Sequence, residues 1–315
     1  MWLKEFGGPE VLLAGEAADP VAGPGEALIA VAYANITFVE TQMRSGGPSP
    51  FQPKLPLIPG NGVGGVVLAV GEGVDGELIG SRVVTSLNGS GGYAERAAVG
   101  AAAPFDVPDG LALDDAVALL ADGRTATALI RAAEVRPGDR VLVEAAAGGV
   151  GSLLVQLARN AGARVIAVAG GARKTELAAE LGADHAFDYS TPDWAGRVRT
   201  AVGAVDVVFD GVGGEIGATA FSLLDRGGRL FSYGLASGAW TPVSEKDAAA
   251  RGVSLRTGPL GTPAQLRGCT ESVLEAAAAG TVKPVIGQRF PLERAADAHR
   301  AIESRATVGK TLLVV

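Results

Sequence analysis

The sequence has little cysteine and little histidine, and both shortages limit the chemistry of the protein. Among 315 residues there are one cysteine, Cys269, and two histidines, His185 and His299. A single cysteine cannot form an internal disulfide, which is typical of a reducing compartment. Tetrahedral zinc needs three or four nitrogen, sulfur or oxygen ligands, and these residues do not supply such a set. The sequence therefore predicts a metal-free protein, and both histidines are interpreted as structural or surface residues.

Basic clusters and long apolar runs are also missing. The 27 Lys and Arg are spread singly among 34 Asp and Glu, and the net charge is -7. This balance argues against nucleic acid or an anionic membrane as a partner, since both require basic surface. The first residues, MWLKEFGGPEV, show no secretory signal, and the uncharged stretch 145–158 is too short to span a bilayer. We expect a soluble, cytoplasmic protein.

The pattern of the chain changes twice. Up to about residue 118, short strand-like runs alternate with Gly and Pro turns, which predicts an irregular β-rich domain with a helical turn near residues 37–43. Helices and strands then alternate as far as VSLRTG at 253–258, which predicts a parallel sheet covered on both faces. In this region we expect a helix over 113–135, broken at Gly123, and another over 217–228. The final segment has two amphipathic helices and a closing strand, KTLLVV.

A glycine-rich turn lies between a strand and a helix in residues 141–158, VLVEAAAGGVGSLLVQLA. A dinucleotide site needs a small residue at Ala145, no side chain at Gly148 where pyrophosphate approaches, and none at Gly151 where helix meets sheet. Alanine meets the first demand if its φ is negative. The helix N-terminus offers N–H groups to phosphates. The alternative is a tight turn without a ligand. The order of strand, turn, helix and second strand favours a bound nucleotide. The residues predicted to bind it are Ala145, Gly148, Gly149, Val150 and Gly151.

The end of the second strand distinguishes NADPH from NADH. An NAD site places Asp or Glu there to bind the ribose 2′-hydroxyl, but this chain reads AVAGGARKTE, with no acid before Glu176. Arg173 and Lys174 stand beside two glycines, which suits a 2′-phosphate. The alternative is that both cations form only the polar face of a helix start, where the helix dipole disfavours them. The sequence therefore predicts NADPH.

Across its whole length the chain resembles a known family. FGGPEVL at 6–12, ETQMRSG at 40–46, PGNGVGGVVLAVGEGV at 59–74, AAAGGVG at 145–151, LGADHAFDY at 181–189 and ESRATVGKTLLVV at 303–315 match in order the zinc-free quinone oxidoreductase group of the medium-chain dehydrogenase/reductase superfamily. The resemblance implies an α/β protein with a β-rich GroES-like domain, which we expect at 1–119 and 259–315. It also implies a doubly wound Rossmann domain, which we expect at 120–258.

The resemblance also implies further site residues and a homodimer. Gly170, Lys174 and Tyr189 match positions that hold the 2′-phosphate and adenosine. Thr125 matches a threonine near the nicotinamide, Arg305 an arginine near the cofactor, and Tyr233-Gly234 a strand end along the nicotinamide ribose. The alternatives are purely structural roles, in which Tyr189 packs on the sheet and Arg305 caps a helix. The predicted open sheet edge around VSLRTG favours the same twofold pairing.

Two regions separate this chain from its relatives. Zinc-dependent relatives have a ligand cysteine at Thr37 and Gly-His-Glu at positions 60–62, where this chain has Gly-Asn-Gly. Many quinone reductases have Asn at position 37, Asp at position 40 and Tyr at position 42, where this chain has Thr37, Glu40 and Gln42. These positions line the expected substrate cleft between the two domains, so the substrate is left open.

Hydride transfer from NADPH to a quinone is the predicted activity. Thr37, Gln42, Tyr93 and Thr125 are the candidate donors to the negative charge that develops on the substrate oxygen. The sequence shows no buried acid, so solvent is the expected source of the proton. Reduction of an activated C=C bond, in an enone, 2-alkenal or enoyl thioester, is an alternative. A nucleotide-binding protein with little turnover is another.

Overall fold

The computed structural model describes residues 1–47 and 53–315, which form two compact units. The first unit comprises Met1–Ala121, Leu274–Gly280 and Pro284–Val315, and the second Asp122–Val273 and Thr281–Lys283. The second unit thus extends to Val273, whereas the sequence prediction ended that domain at residue 258. The domain limits given by the sequence stay a prediction.

The amino-terminal part of the first unit is built mainly from strands. They are β1 (Trp2–Leu3), β2 (Leu12–Leu13), β3 (Glu26–Ile36), β4 (Gly62–Val70), β5 (Arg82–Ser86), β6 (Arg96–Gly100) and β7 (Phe105–Asp106). The long strand β3 alternates in burial, and Ala27, Ile29 and Val31 face the core. This alternation is typical of a strand in a sheet that has one face packed on the core and the other more exposed to solvent. Short 3₁₀ turns occur at Pro9–Val11 and Gly76–Leu78.

Two helices follow strands in this part of the chain. Helix α1 (Phe38–Ser45) begins after Thr37 and ends at Gly46, whose φ of 75° gives the left-handed cap that glycine favours. Helix α2 (Leu113–Ala133) starts with Asp114 and Asp115, which suit the positive end of the helix dipole. The expected break at Gly123 is wrong, because α2 runs through it. A helix interior tolerates one glycine at a cost of about 1 kcal/mol when its flanks are well packed.

The second unit contains a six-stranded parallel sheet. Its strands are β8 (Arg140–Glu144), β9 (Arg164–Ala169), β10 (His185–Asp188), β11 (Val205–Asp210), β12 (Leu224–Ser232) and β13 (Ser254–Arg256). Their order is β10-β9-β8-β11-β12-β13, so the strand order reverses between β8 and β11. Strands β8, β9 and β11 are buried almost throughout. Such strands are typical of a parallel sheet covered on both faces.

A helix follows each of these strands along the chain. These helices are α3 (Gly149–Asn160), α4 (Ala172–Glu180), α5 (Trp194–Val202), α6 (Gly214–Ser222), α7 (Glu245–Ala250) and α8 (Pro263–Ala278). The helix expected over 217–228 is wrong in its second half, because α6 ends at Ser222 and β12 begins at Leu224. Pairing with β11, which places Val205 opposite Leu224, overrides the local helical pattern there.

The carboxyl-terminal segment returns to the first unit. It adds β14 (Ile286–Pro291), a 3₁₀ turn at Leu292–Arg294, α9 (Ala295–Glu303) and β15 (Lys310–Val314). These strands extend a seven-stranded sheet of order β14-β15-β3-β4-β5-β7, in which β6 also pairs with β3. Among the described residues, every helix is too short or too polar to cross a membrane.

Candidate active site

The glycine-rich turn joins β8 to α3 at the carboxyl edge of the parallel sheet. The N–H of Gly148 donates to the carbonyl of Ala145 at 2.7 Å, which closes the turn. A Cβ on Gly151 would lie 2.2 Å from that same carbonyl oxygen, and one on Gly149 would lie 2.0 Å from Oδ2 of Asp122. The contact at Gly151 is with backbone, so a side chain there requires a shift of the chain, whereas at Gly149 it requires the Asp122 side chain to move. The contact at Gly151 is the close approach of helix and strand that the sequence predicts.

Ala145 departs from its expected conformation. Its φ is +47°, whereas the sequence analysis required a negative φ for an alanine at this position. The left-handed region costs an L residue about 1–2 kcal/mol, because Cβ approaches the following carbonyl. The turn therefore keeps the backbone of a glycine-first motif although the residue is alanine.

The start of α3 is suited to an anion. Its N-cap is Gly148, which has no side chain with which to cap the helix. The first N–H groups of a helix have no partner within the helix, and they carry a partial positive charge. In the neighbouring loop before α6, Asp210 accepts the N–H groups of Val212 and Gly213 at 3.2 and 2.7 Å. The glycine-rich turn and the start of α3 lie at the point where the strand order reverses, which is where doubly wound sheets bind nucleotide phosphates.

The end of β9 brings together the residues expected around a 2′-phosphate. A Cβ on Gly170 would lie 3.2 Å from the ring of Tyr189, so that ring lies over this glycine. Gly171, with a φ of 88°, precedes α4, whose first turn contains an exposed Arg173 and a half-buried Lys174. Sequence spacing predicts this arrangement of cations and glycines.

The carboxylate of Asp188 lies close to this turn, and the sequence analysis does not identify it. Asp188, at the end of β10, accepts a hydrogen bond from the N–H of Gly171, and this bond, with those from Ser190, lowers the pKa of the carboxyl group. Asp188 belongs to the adjacent strand rather than to the stretch after β9. A search along the second strand alone therefore cannot find it.

Tyr233 and Gly234 follow β12 and contact the loop that follows β11. Their N–H groups both donate to the carbonyl of Asp210, at 3.0 and 3.3 Å. A Cβ on Gly234 would lie 2.6 Å from the carbonyl oxygen of Gly211, so the two chain segments nearly touch. Burial, followed by the charges of Glu144, Asp210 and Asp122, raises the pKa of the Tyr233 phenol.

Two buried acids lie at the same edge, although the sequence analysis recognises none. Glu144 ends β8 and Asp210 ends the neighbouring β11, and both side chains are fully buried. Burial and the charge of Asp210 raise the pKa of Glu144 well above its usual value. The only signal in the sequence is that each acid closes an otherwise apolar strand, RVLVE and VDVVFD.

A small cavity in the first unit contains two of the predicted residues, Gln42 and Arg305. Its volume is about 120 Å³, and it is lined by Phe38, Thr41, Gln42, Ser45, Glu303 and Arg305. The guanidinium of Arg305 lies 4.5 Å from the centre of the Phe38 ring. Arg305 has a φ of +60° and follows Ser304, the C-cap of α9, and its N–H donates to the carbonyl of Ile302 at 3.1 Å, so its backbone helps to end that helix. A cation, an amide and an aromatic face thus share one small pocket.

Thr37 and Asn61 occupy positions where zinc-dependent relatives carry ligands, and in this chain Glu40 links them. The N–H and hydroxyl of Thr37 donate to Oε2 of Glu40 at 2.5 and 3.0 Å, and the N–H of Asn61 donates to Oε1 at 2.8 Å. Burial raises the pKa of Glu40 despite these bonds and the nearby charge of Lys310. Among the residues the structure describes, no group of three or more His, Cys, Asp or Glu could hold a metal ion.

Tyr93 has a hydrogen-bond partner within the protein, and its predicted role as a donor to substrate stays a prediction. Its ring is fully buried, and its hydroxyl is bonded to Nε2 of His299 at 2.9 Å. Burial and the charge of Arg44 lower the pKa of His299 to about 3. Tyr93 and His299 therefore form a polar contact inside the first unit. Thr125 is half-buried on α2, in the second unit, and its catalytic role stays a prediction.

Comparison with known proteins agrees with this geometry. A family model described as "Alcohol dehydrogenase GroES-like domain" matches residues 23–109, and one described as "Zinc-binding dehydrogenase" matches residues 181–313. The chain is 33% identical over 326 residues to a 2-haloacrylate reductase of Burkholderia sp, with coverage of 99% of this chain and 97% of that protein. It is 34% identical over 321 residues to a quinone oxidoreductase of Rattus norvegicus, covering 99% and 96%.

A solved structure extends the comparison to three dimensions. The Escherichia coli quinone oxidoreductase complexed with NADPH aligns with a TM-score of 0.90 at 31% identity, covering 100% of this chain and 99% of that chain. The chain belongs to the zinc-free quinone oxidoreductase group of the medium-chain dehydrogenase/reductase superfamily. The family and the fold class predicted from the sequence, a GroES-like domain with a Rossmann domain, are confirmed.

Proposed function

We propose that the protein is an NADPH-dependent oxidoreductase that reduces quinones by hydride transfer. The observation that carries this proposal is the glycine-rich turn before α3, which lies at the reversal of strand order and brings Gly151 against the backbone of Ala145. The quinone oxidoreductases among its relatives support the substrate class, and the E. coli structure with NADPH supports the cofactor. When bound, the reduced nicotinamide supplies the hydride.

The chain's own residues hold the cofactor at three places. The turn at 145–151 and the start of α3 receive the pyrophosphate. Arg173 and Lys174 face the 2′-phosphate, with Gly170 leaving room beneath the ring of Tyr189. The family resemblance assigns Tyr233 and Gly234 to the nicotinamide ribose and Arg305 to a contact with the cofactor, and we include these roles in the proposal.

Activation of the substrate requires donors for the charge that develops on its oxygen. Gln42 supplies an amide N–H at the wall of the small cavity, and the hydroxyl groups of Thr37 and Thr125 are the other candidates. The Thr37 hydroxyl already donates to Glu40, so it must turn away from that carboxylate to serve a substrate. Gln42 is therefore the favoured donor.

Reduction of an activated C=C bond is the second candidate function. Its support is the similarity over 99% of the chain to a 2-haloacrylate reductase, an enzyme named for an alkene conjugated to a carboxyl group. A quinone and a conjugated alkene both accept hydride at carbon and place the negative charge on oxygen. The same donors serve both reactions.

The test is steady-state oxidation of NADPH with a panel of quinones, enones and 2-haloacrylate, each with and without a metal chelator. We expect turnover with quinones that the chelator leaves unchanged. Turnover with the alkenes alone would assign the second function, and loss of activity with chelator would contradict zinc independence. Tight NADPH binding with no turnover would identify a nucleotide-binding protein.

We further propose a cytoplasmic homodimer. The strand β13 is an edge of the parallel sheet, and an open edge favours pairing with a twofold mate. Light scattering at micromolar concentration should give twice the mass of one chain. A monomer would contradict the proposal.

A further inference from the structure

Two carboxyl groups meet where the strand order of the parallel sheet reverses. Glu144 is the last residue of β8 and precedes the glycine-rich turn directly, while Asp210 is the last residue of the neighbouring β11. Both side chains are fully buried. Two buried negative charges in contact are strongly unfavourable, so a pair of this kind holds a proton.

Asp210 has the surroundings of an ionised carboxylate. Its Oδ1 accepts the N–H groups of Val212 and Gly213, at 3.2 and 2.7 Å. Its Oδ2 accepts the hydroxyl groups of Ser232 and Thr241, at 2.7 and 2.5 Å. Four donors directed at one carboxyl group stabilise its negative charge.

Glu144 has the surroundings of a neutral acid. Its Oε2 accepts the N–H of Val212 at 3.1 Å, while its buried Oε1 has no donor among the described residues. The N–H of Val212 also lies 3.2 Å from Oδ1 of Asp210, so the two carboxyl groups share one donor and lie close enough for a bond between them. Two carboxyl groups can form such a bond only if one carries a proton, and the group with fewer donors is the one that keeps it.

The other charged and titratable groups around this pair do not favour a second negative charge. The phenol of Tyr233, after β12, is influenced by Glu144, Asp210 and Asp122. Asp122, on α2, faces Gly149 at the start of α3. Ionised Glu144 would therefore add charge to an acidic region directly below the turn that receives a pyrophosphate.

We propose that Glu144 is a positioning residue that, as a neutral acid, joins the ends of β8 and β11 and holds the cofactor turn in its binding conformation. Its proton bridges to Asp210, and its Oε2 fixes Val212 in the loop opposite the glycine-rich turn. Loss of this proton separates the two carboxylates, displaces the turn and repels the cofactor phosphates. This inference rests on the proposed dinucleotide binding, and it makes the affinity for the cofactor depend on pH.

The test is the dissociation constant of NADPH between pH 7.5 and 10, where the 2′-phosphate is already fully ionised. The variant Glu144→Gln keeps the shape and the neutral state, and Glu180→Gln is a matched control at an exposed position on α4. We expect the dissociation constant of NADPH to rise at least tenfold over this range for the parent protein and for the control. For the Glu144→Gln variant it should change less than twofold.

A second measurement needs no variant. Because binding and protonation are linked, the parent protein should take up protons from a weak buffer when it binds NADPH at the alkaline end of the range. A constant affinity with no proton uptake, or the same pH profile in Glu144→Gln as in the parent, would overturn the role of Glu144. Absence of NADPH binding at every pH would instead overturn the proposed function.

Discussion

At the scale of single residues, Ala145 is held in a conformation that suits glycine better. The left-handed region costs alanine about 1–2 kcal/mol, whereas glycine adopts it freely but loses about 0.5–1 kcal/mol more in chain entropy on folding. We therefore expect Ala145→Gly to raise the free energy of unfolding by up to about 1 kcal/mol. Urea unfolding measures this, with Ala146→Gly as a neighbouring control that should destabilise. A less stable Ala145→Gly protein would contradict the strain.

His299 makes stability depend on acid. Its pKa in the fold is about 3, against 6.5 for the ordinary side chain, so the fold favours the neutral ring. This contribution is complete above pH 6.5 and is lost as the pH falls towards 3, by up to about 1.4 kcal/mol per pH unit. We expect His299→Gln to be less stable at neutral pH but to lose less stability on acidification. Urea unfolding at pH 7.5, 5 and 4 tests this, with His185→Gln as the matched control.

At the scale of elements, the first turn of α4 carries cations where the helix dipole disfavours them. A bound 2′-phosphate would offset this unfavourable placement. We expect Lys174→Ala to weaken NADPH binding by about 1.5–3 kcal/mol and to leave NADH binding almost unchanged. Fluorescence titration with both cofactors measures this, and Lys246→Ala, on the short helix α7, is the control. Equal affinities of the parent protein for NADPH and NADH would rule out the 2′-phosphate site.

Helix α1 carries the residue on which substrate activation is proposed to depend. If the amide of Gln42 donates to the substrate oxygen, Gln42→Ala should lower kcat by roughly 10²-fold, the usual effect of losing one such donor. NADPH binding should stay intact, because the change removes no cofactor contact. Ser45→Ala, which alters another residue of the same cavity, is the control. Unchanged turnover with every accepted substrate would leave Gln42 as cavity lining only.

Elements with a clear period or a clear turn could be predicted from the sequence. The strand β3, the helix α1 and the βα alternation that follows α2 depend on local patterns that the fold keeps. The end of α6 could not be predicted, because pairing of β12 with β11 decides it. The same limit applies within the site. The turn at Gly148 is local in sequence, whereas the contact between Glu144 and Asp210 depends on two strands becoming neighbours.

Tyr93 shows why the type of a residue does not fix its contacts. The sequence predicts its hydroxyl as a donor to substrate, and the structure places this hydroxyl in a hydrogen bond with His299, more than two hundred positions later in the chain. Burial is a property of the assembled unit, and a single sequence without periodicity around Tyr93 does not reveal it.

At the scale of the whole molecule, the two units differ in how their chain is distributed. The second unit is nearly continuous in sequence, whereas the first combines an amino-terminal part with residues from the far end of the chain. Its sheet places β15 against β3, with Thr311 opposite Ile36 and Val314 opposite Tyr33.

Because β15 lies at the end of the chain, this pairing determines when the sheet of the first unit can be completed during synthesis. Strand β3 leaves the ribosome early and can pair with β4 and β6, but β15 is made only after the whole parallel sheet, so residues 33–36 of β3 must wait for this partner. The second unit has all its strands by then and can fold on its own residues. A chain that stops before Lys310 should therefore resist limited proteolysis in the second unit and be cleaved in the first. Equal protection of both units would show that β15 is not required to complete the sheet.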